Sequence, residues 1–214
     1  MTFSRLFMLL PICVWLIGCV APQPKQTDAG KVDWLQQQKR LGEISQWSIN
    51  GRIAVQTINN GGQADYVWKQ QNATNYTIRL QAPLGAGTTW ISAEPQGVML
   101  KNSSGESLFD TDVDKLMQQV NGWPLPVSGL RYWVLGLPSK MSDYTIVSWQ
   151  ANGLPGVMLQ DGWRIEFRQH KEVSGVLLPK KLFISRDSTS FSEDENEEGV
   201  DVRLIIRQWS IGRV

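Results

Sequence analysis

Cysteine and histidine are the scarcest reactive residues in this chain of 214 residues, which has two cysteines, Cys13 and Cys19, and a single histidine, His170. One histidine rules out any paired-histidine metal spacing and leaves a serine–histidine–acid triad no other base. His170 falls near the end of a strand pattern beside Lys171 and Glu172, and is expected at the surface. There is no Gly-x-Ser-x-Gly elbow, no Cys-x-x-Cys pair and no phosphate-cradling Walker loop; Gly85-Ala86-Gly87 does not extend to a dinucleotide fingerprint, because position 90 is Trp90. An excess of one charge is missing as well. At a net charge of +1 the chain offers no electrostatic case for nucleic acid. No catalytic residue, metal or cofactor is expected, although no spacing excludes a hydrolytic carboxylate pair.

Long apolar runs are confined to the start. Residues 6–17 are apolar, follow a single cation at Arg5, and end in Leu16-Ile17-Gly18-Cys19. A short basic region, an apolar stretch too short to span a bilayer and small residues before a cut site make a secretory signal peptide. The ending resembles the lipobox of bacterial lipoproteins. That resemblance implies a leader over 1–18, cleavage before Cys19, and acylation of Cys19 as a membrane anchor. An ordinary signal peptide or an uncleaved anchor is the alternative. At ~0.8 kcal/mol per buried methylene, several acyl chains hold firmly where one would not. Val20, rather than Asp, after the cysteine favours the outer membrane by the same resemblance. Cys13 then leaves with the leader and Cys19 is consumed by lipid, so the mature domain has no thiol for a disulfide, a metal or a nucleophile.

What remains reads as one folded domain. Hydrophobic residues make up 42% and charged residues 19%, and ten tryptophans suggest large apolar surfaces or a lipid interface. Residues 19–32, with Pro22 and Pro24 among small and polar neighbours, read as a flexible tether, and 33–214 as the domain. Asp33 can cap a helix running to about Gln46. From Trp47 the period changes to two: Ile49, Ile53 and Val55, then Ala64, Tyr66 and Trp68, then Tyr76, Ile78 and Leu80 alternate with polar residues. Further strand patterns cover 88–94, 98–101, 144–150, 156–160, 163–169, 178–186 and 200–211. Asn59-Asn60-Gly61-Gly62, Asn152-Gly153 and Asp161-Gly162 mark turns. Val113, Leu116, Met117 and Val120 have helical spacing, as do Leu130, Trp133, Val134 and Leu137 behind a potential cap at Ser128. Pro138 stops the second helix. The acidic segment 192–198 reads as a solvated loop. The fold class is therefore mainly β with a few helices (α+β), an antiparallel meander whose helices cover one face. Periodicity alone favours a filled core over a cavity beneath them.

Several stretches together resemble the outer-membrane lipoprotein receptor family LolB. They are the Gly51-Arg52 strand with its hairpin to Trp68, Tyr76-Thr77-Ile78-Arg79-Leu80 running into Pro83-Leu84-Gly85, Leu116-Met117 before Gly122, and the strand ending at Trp209. The most specific is Leu125-Pro126-Val127 followed by Leu130-Arg131-Tyr132-Trp133-Val134-Leu135-Gly136-Leu137-Pro138. The resemblance covers nearly all of the mature domain. It implies an unclosed antiparallel β-barrel with helices over an apolar cavity. It also implies a protein lipid-anchored through Cys19 on the periplasmic face of the outer membrane. There it accepts mature lipoproteins from a LolA-like periplasmic carrier and incorporates them into the membrane.

By the same resemblance, Pro83, Leu84 and Gly85 form a protruding membrane-insertion loop. The acyl-chain cavity is expected from Ile53, Val55, Tyr66, Trp68, Ile78 and Leu80 on strands, and from Leu116, Met117, Val120, Trp133, Val134 and Leu137 on helices. Each could equally be plain core. The partners implied are the carrier, lipoprotein acyl chains and outer-membrane lipid; a monomer is expected. The acidic segment has no counterpart in that picture, and one use for it is to meet a basic surface on the carrier. Alternatives are a generic barrel lipoprotein binding a small apolar ligand, an envelope hydrolase, and a soluble carrier, against which the lipobox argues.

Overall fold

Period-two hydrophobicity sends alternate side chains to opposite faces of a strand, and here one face is buried throughout. In the computed structural model, which describes residues 33–121, 125–187 and 199–212, β1 (Trp47–Thr57) turns Trp47, Ile49, Ile53 and Val55 inward. A meander follows through β2 (Gly61–Gln70), β3 (Tyr76–Gln81), β4 (Thr88–Glu94), β5 (Gly97–Asn102) and β6 (Ser107–Asp110). A second runs through β7 (Tyr144–Trp149), β8 (Pro155–Gln160), β9 (Trp163–Val173), β10 (Val176–Arg186) and β11 (Val200–Ile211). The last strand returns to pair antiparallel with β1. This joins both meanders into one eleven-stranded sheet of order β6-β5-β4-β3-β2-β1-β11-β10-β9-β8-β7. Among the described residues the outer edges of β6 and β7 have no strand partner, so the barrel is unclosed.

The β1–β11 seam depends on Gly51. The register between the strands shifts between Asn50 and Gly51, and a Cβ at position 51 would lie 1.8 Å from the Ile205 carbonyl oxygen. No side chain fits there. At the other hairpins the expected turn residues do the work. Asp161 and Gly162 both take positive φ (52° and 74°), as a two-residue β8–β9 turn requires.

The helices lie where the sequence patterns place them, but two are shorter than expected. Asp33 caps α1 (Trp34–Gly42), its Oδ1 accepting from the amides of Leu35 and Gln36 at 3.0 and 3.3 Å. The helix stops at Gly42 rather than near Gln46, because the chain tightens there, with the Glu43 amide bonding back to Arg40, before entering β1. Asp112 caps α2 (Val113–Asn121) through the amides of Asp114 and Lys115. α3 (Val127–Trp133) ends four residues before Leu137. Val134 is its C-cap and Gly136 takes φ 79°, so Val134 and Leu137 leave the helix although they keep its spacing. Ser128 is not the N-cap; it sits in the first turn and serves another contact.

Together α2, α3 and their trailing segment carry the chain from the β6 edge to the β7 edge. Their apolar side chains join those of the sheet's inner face in one core. Among the described residues no helix is long and apolar enough to cross a membrane.

Candidate functional site

The sheet has two wings, β1–β6 and β7–β11, and the inner face of the first is a continuous apolar surface. Cross-strand neighbours Ile53 and Ala64, Tyr66 and Leu80, and Trp68 and Ile78 all point inward, and Val55 extends the row along β1. Leu116, Met117, Trp133, Val134 and Leu137 pack against the same core from the helical side. The structure thus brings together the expected cavity residues, apart from Val120, whose side chain lies outside the described residues, as does Cys19. It brings them together filled. Among the described residues, Met117 and Val134 are 0% exposed and Trp133 1%, so these side chains are close-packed with no gap beside them. Sequence reasoning passed over inward residues of the same core on other strands, such as Ile91, Leu100, Met158 and Ile165. Their alternation was visible, but nothing in it distinguished them from ordinary core.

Few polar contacts hold the helices down. Asp114 of α2 accepts from both the amide and the hydroxyl of Ser128 of α3, which ties the two helices together. Burial raises the Asp114 carboxyl above its usual range, while the Ser128 bonds oppose the shift. Arg131 donates to the Ala73 carbonyl at 2.8 Å and to the Tyr132 hydroxyl at 2.6 Å, its guanidinium stacked over the Tyr132 ring. The third clasp is Gln160 at the end of β8, 3% exposed. Its Oε1 accepts from Trp133 Nε1 at 2.9 Å and the Ser139 amide at 2.8 Å, and its Nε2 donates to the carbonyls of Ser139 and Ser142. Gln160 was not foreseen. The signal was available, since it falls in phase with inward Met158, and a polar residue in a buried phase must find partners.

Several open depressions border the apolar interior, and two of them flank the expected cavity residues. One, of about 390 Å³, lies between α1 and the segment after α3 and is lined by Leu41, Ile44, Tyr132, Leu135 and Leu137. The other, of about 560 Å³, opens beside the β3–β4 loop, with Ala64 and Leu80 at its floor and Pro83 and Ala86 at its rim. Tyr66 is held protonated by burial, its hydroxyl reaching the Ile205 carbonyl at 3.4 Å, and burial pushes the Tyr76 hydroxyl up to about 12.

The β3–β4 loop carries the most exposed apolar side chain described. Leu84 is fully exposed, at a loop closed by bonds from the Ala82 amide to the Gly87 carbonyl and from the Ala86 amide to the Pro83 carbonyl. Its backbone is left-handed, φ 54° and ψ 24°, between Pro83 and a Gly85 at φ 75°. It does not fold back into the core. Arg52 forms an exposed ion pair with Asp65 at 3.0 Å, shared with Arg207, on the sheet's outer face away from the interior. His170 departs from expectation: it is half-buried beside Phe167, with Nδ1 buried and unpartnered, and burial lowers its pKa to about 4. The acidic segment 192–198 lies outside the described residues.

Comparisons with known proteins show what this chain is similar to. A LolA-superfamily protein from Nitrosomonas europaea superposes with a TM-score of 0.48 at 8% identity, over 86% of this chain and 96% of its own. An outer-membrane lipoprotein LolB of Alkalilimnicola ehrlichii is 30% identical over 95% of this chain and 96% of its own length. The LolB of Chromohalobacter salexigens is 34% identical over 85% and 84%. That of Nitrosococcus oceani is 30% identical over 99% and 100%. The family model described as outer membrane lipoprotein LolB matches residues 45–209, from the turn before β1 to Trp209 in the last strand. These relatives are outer-membrane lipoproteins by name, and this chain belongs to the LolB family.

Proposed function

We propose that this protein is the membrane-side receptor of lipoprotein localisation. Held through an acylated Cys19 on the periplasmic face of the outer membrane, it takes mature lipoproteins from a LolA-like carrier and delivers them to the bilayer. The acyl chains enter between the inner face of β1–β3 and the α2–α3 cover. Since that space is filled at rest, entry requires the cover to lift, and the few polar clasps make this affordable. Exposing each methylene of the cargo to water costs about 0.8 kcal/mol, so the chains pass from one apolar enclosure to the next without a free intermediate. Transfer then needs only an affinity difference between carrier, receptor and bilayer, and the anchor supplies the direction.

The observation that carries this reading is Leu84. A leucine in the left-handed region costs roughly 1–2 kcal/mol of backbone strain, and leaving it in water forgoes about 1.5–3 kcal/mol of burial. A loop facing only solvent would gain by placing glycine or asparagine there. Against lipid the side chain is buried, and the strained backbone aims it outward.

Two experiments test the proposal. An anchorless form beginning just after Cys19, mixed with a carrier–lipoprotein complex, is expected to hold the cargo in a pull-down. Cargo that stays on a competent carrier beside a folded domain defeats the receptor reading and favours a lipoprotein for a small apolar ligand. In the anchored protein, Leu84→Glu is expected to keep the fold and still accept cargo, but to lose delivery to vesicles. Normal delivery by that variant removes the role of the loop.

A further inference from the structure

The outer face of the first wing carries an aromatic and cationic row directly behind the Leu84 loop. Register sets Arg79 of β3 opposite Trp90 of β4, and Trp90 opposite Lys101 of β5. Neighbouring strands lie about 4.8 Å apart, so the three side chains span roughly 10 Å, two residues or about 7 Å in from the loop end of β4. The next outward row reads Lys69, Thr77, Ser92, Met99 and Phe109. Trp90, Met99 and Phe109 are 42%, 44% and 57% exposed. Val67, Lys69, Arg79 and Trp90 border an open groove of about 410 Å³ on this face.

Charge sharpens the contrast with the other wing. Among the described residues, Lys69, Arg79 and Lys101 form no ion pair, whereas several of the second wing's outer cations are engaged, Lys171 and Lys180 excepted. Arg164 and Arg168 pair with Glu166, and Arg168, Lys181 and Arg203 stack on Phe183. The carboxylates nearest the row do not cancel it. Asp65 is held by Arg52 and Arg207, Glu106 sits in the β5–β6 turn and accepts from Asn102, and Glu94 lies at the far end of β4.

From this arrangement we infer that the outer face of β3–β5 lies on an anionic phospholipid surface, with Arg79 and Lys101 on headgroup phosphates and the Trp90 ring at headgroup level. Tryptophan is favoured at that depth, and cations next to an anionic leaflet each contribute about a fivefold gain in partition. The contact leans the half-barrel onto its first wing and brings the loop depression to the bilayer. Its orientation rests on the reading of Leu84 as the membrane loop, but its test needs no cargo.

The test uses the full acylated chain in phosphatidylethanolamine vesicles with and without phosphatidylglycerol. With Cys19 consumed by lipid, a Ser92→Cys variant carries one nitroxide label on this face, and Thr145→Cys carries one on β7 as reference. The expected result is that the Ser92 label becomes shielded from a water-soluble relaxation agent when phosphatidylglycerol is present, while the Thr145 label does not. The shielding should fall with salt. Arg79→Glu with Lys101→Glu should shift the orientation back by at least 25-fold, about fivefold per cation. A Ser92 label equally accessible in both vesicles, or shielding indifferent to salt in the unaltered protein, overturns the inference. So does shielding that arises only on adding the carrier, which makes the face a protein dock. Normal cargo delivery by Leu84→Glu with Ser92 shielding intact sinks the loop reading alone.

Discussion

The two ends of the first wing are built from opposite materials. Where β1 and β3 begin, Trp47, Trp68, Tyr76 and Trp209 pack ring against ring, with centroids 5.3 Å apart for Trp47–Trp68, 5.8 Å for Trp47–Trp209 and 5.9 Å for Trp68–Tyr76. The indole nitrogens of Trp68 and Trp209 are satisfied by Gln70 and the Pro179 carbonyl. At the other end Gly62 and Ala64 of β2, with Ala82 and Ala86 of the β3–β4 loop, line the 560 Å³ depression beside the bare Leu84. Interlocked rings resist separation because any opening forfeits many contacts at once. Small side chains hold their neighbours weakly. The wing is therefore interlocked at one end and more easily parted at the other, and the end that parts is the one beside the exposed leucine.

The strongest way to break this comparison is to unseal the closed end. Trp47→Ala removes the ring that touches both Trp68 and Trp209, and should lower stability by about 3–5 kcal/mol, read by denaturant unfolding. A loss below about 1 kcal/mol would show that the aromatic stack is not what closes this end. Next in size is the clasp over the second wing. Gln160→Leu leaves Trp133 Nε1 and the backbone of Ser139 buried without partners and should cost about 2–4 kcal/mol. If the cover lifts during transfer, the same variant should take up an apolar fluorescent probe faster; unchanged uptake would place the opening elsewhere.

A smaller effect is titratable. The half-buried His170 has its folded pKa depressed to about 4 from an ordinary 6.5. Between those values the unfolded chain binds the proton more readily, so stability is fully present above about pH 6.5 and is lost as pH falls towards 4. His170→Gln should flatten that part of a melting-temperature profile. An unchanged slope would assign it to carboxylates.

Particular residues show what was legible beforehand. Alternation located every strand but β6, whose four residues offer only Leu108 inward, too few for a period to register. Asp33 was readable as a cap because a side-chain oxygen before a helical pattern has one common use. Ser128 had the same appearance. Its hydroxyl went to Asp114, a partner fourteen positions earlier, which only the packing of α2 on α3 supplies. The helix boundary failed for a related reason, since Val134 and Leu137 keep the helical spacing after Gly136 has ended the helix. The acyl-accepting space is not written in the pattern at all. An inward leucine looks the same whether it lines a core or a gap. The turn at Leu84 was legible from Pro83 and Gly85, but its left-handed backbone was not.

That backbone gives the finest test. Leu84→Gly removes the positive-φ penalty and the exposed side chain, and glycine adopts this conformation freely. Part of the gain is returned through the greater freedom of the unfolded chain, leaving up to about 1 kcal/mol of added stability. The same change strips the loop of the group proposed to enter the bilayer, so delivery of cargo to vesicles should fall while acceptance from the carrier holds. A residue kept for packing loses stability and function together when removed. One kept against the interest of the fold should lose function while stability rises. Leu84→Gly melting lower than the unaltered protein would mean that the leucine supports its loop, and the contrast between the two ends would then be one of packing alone.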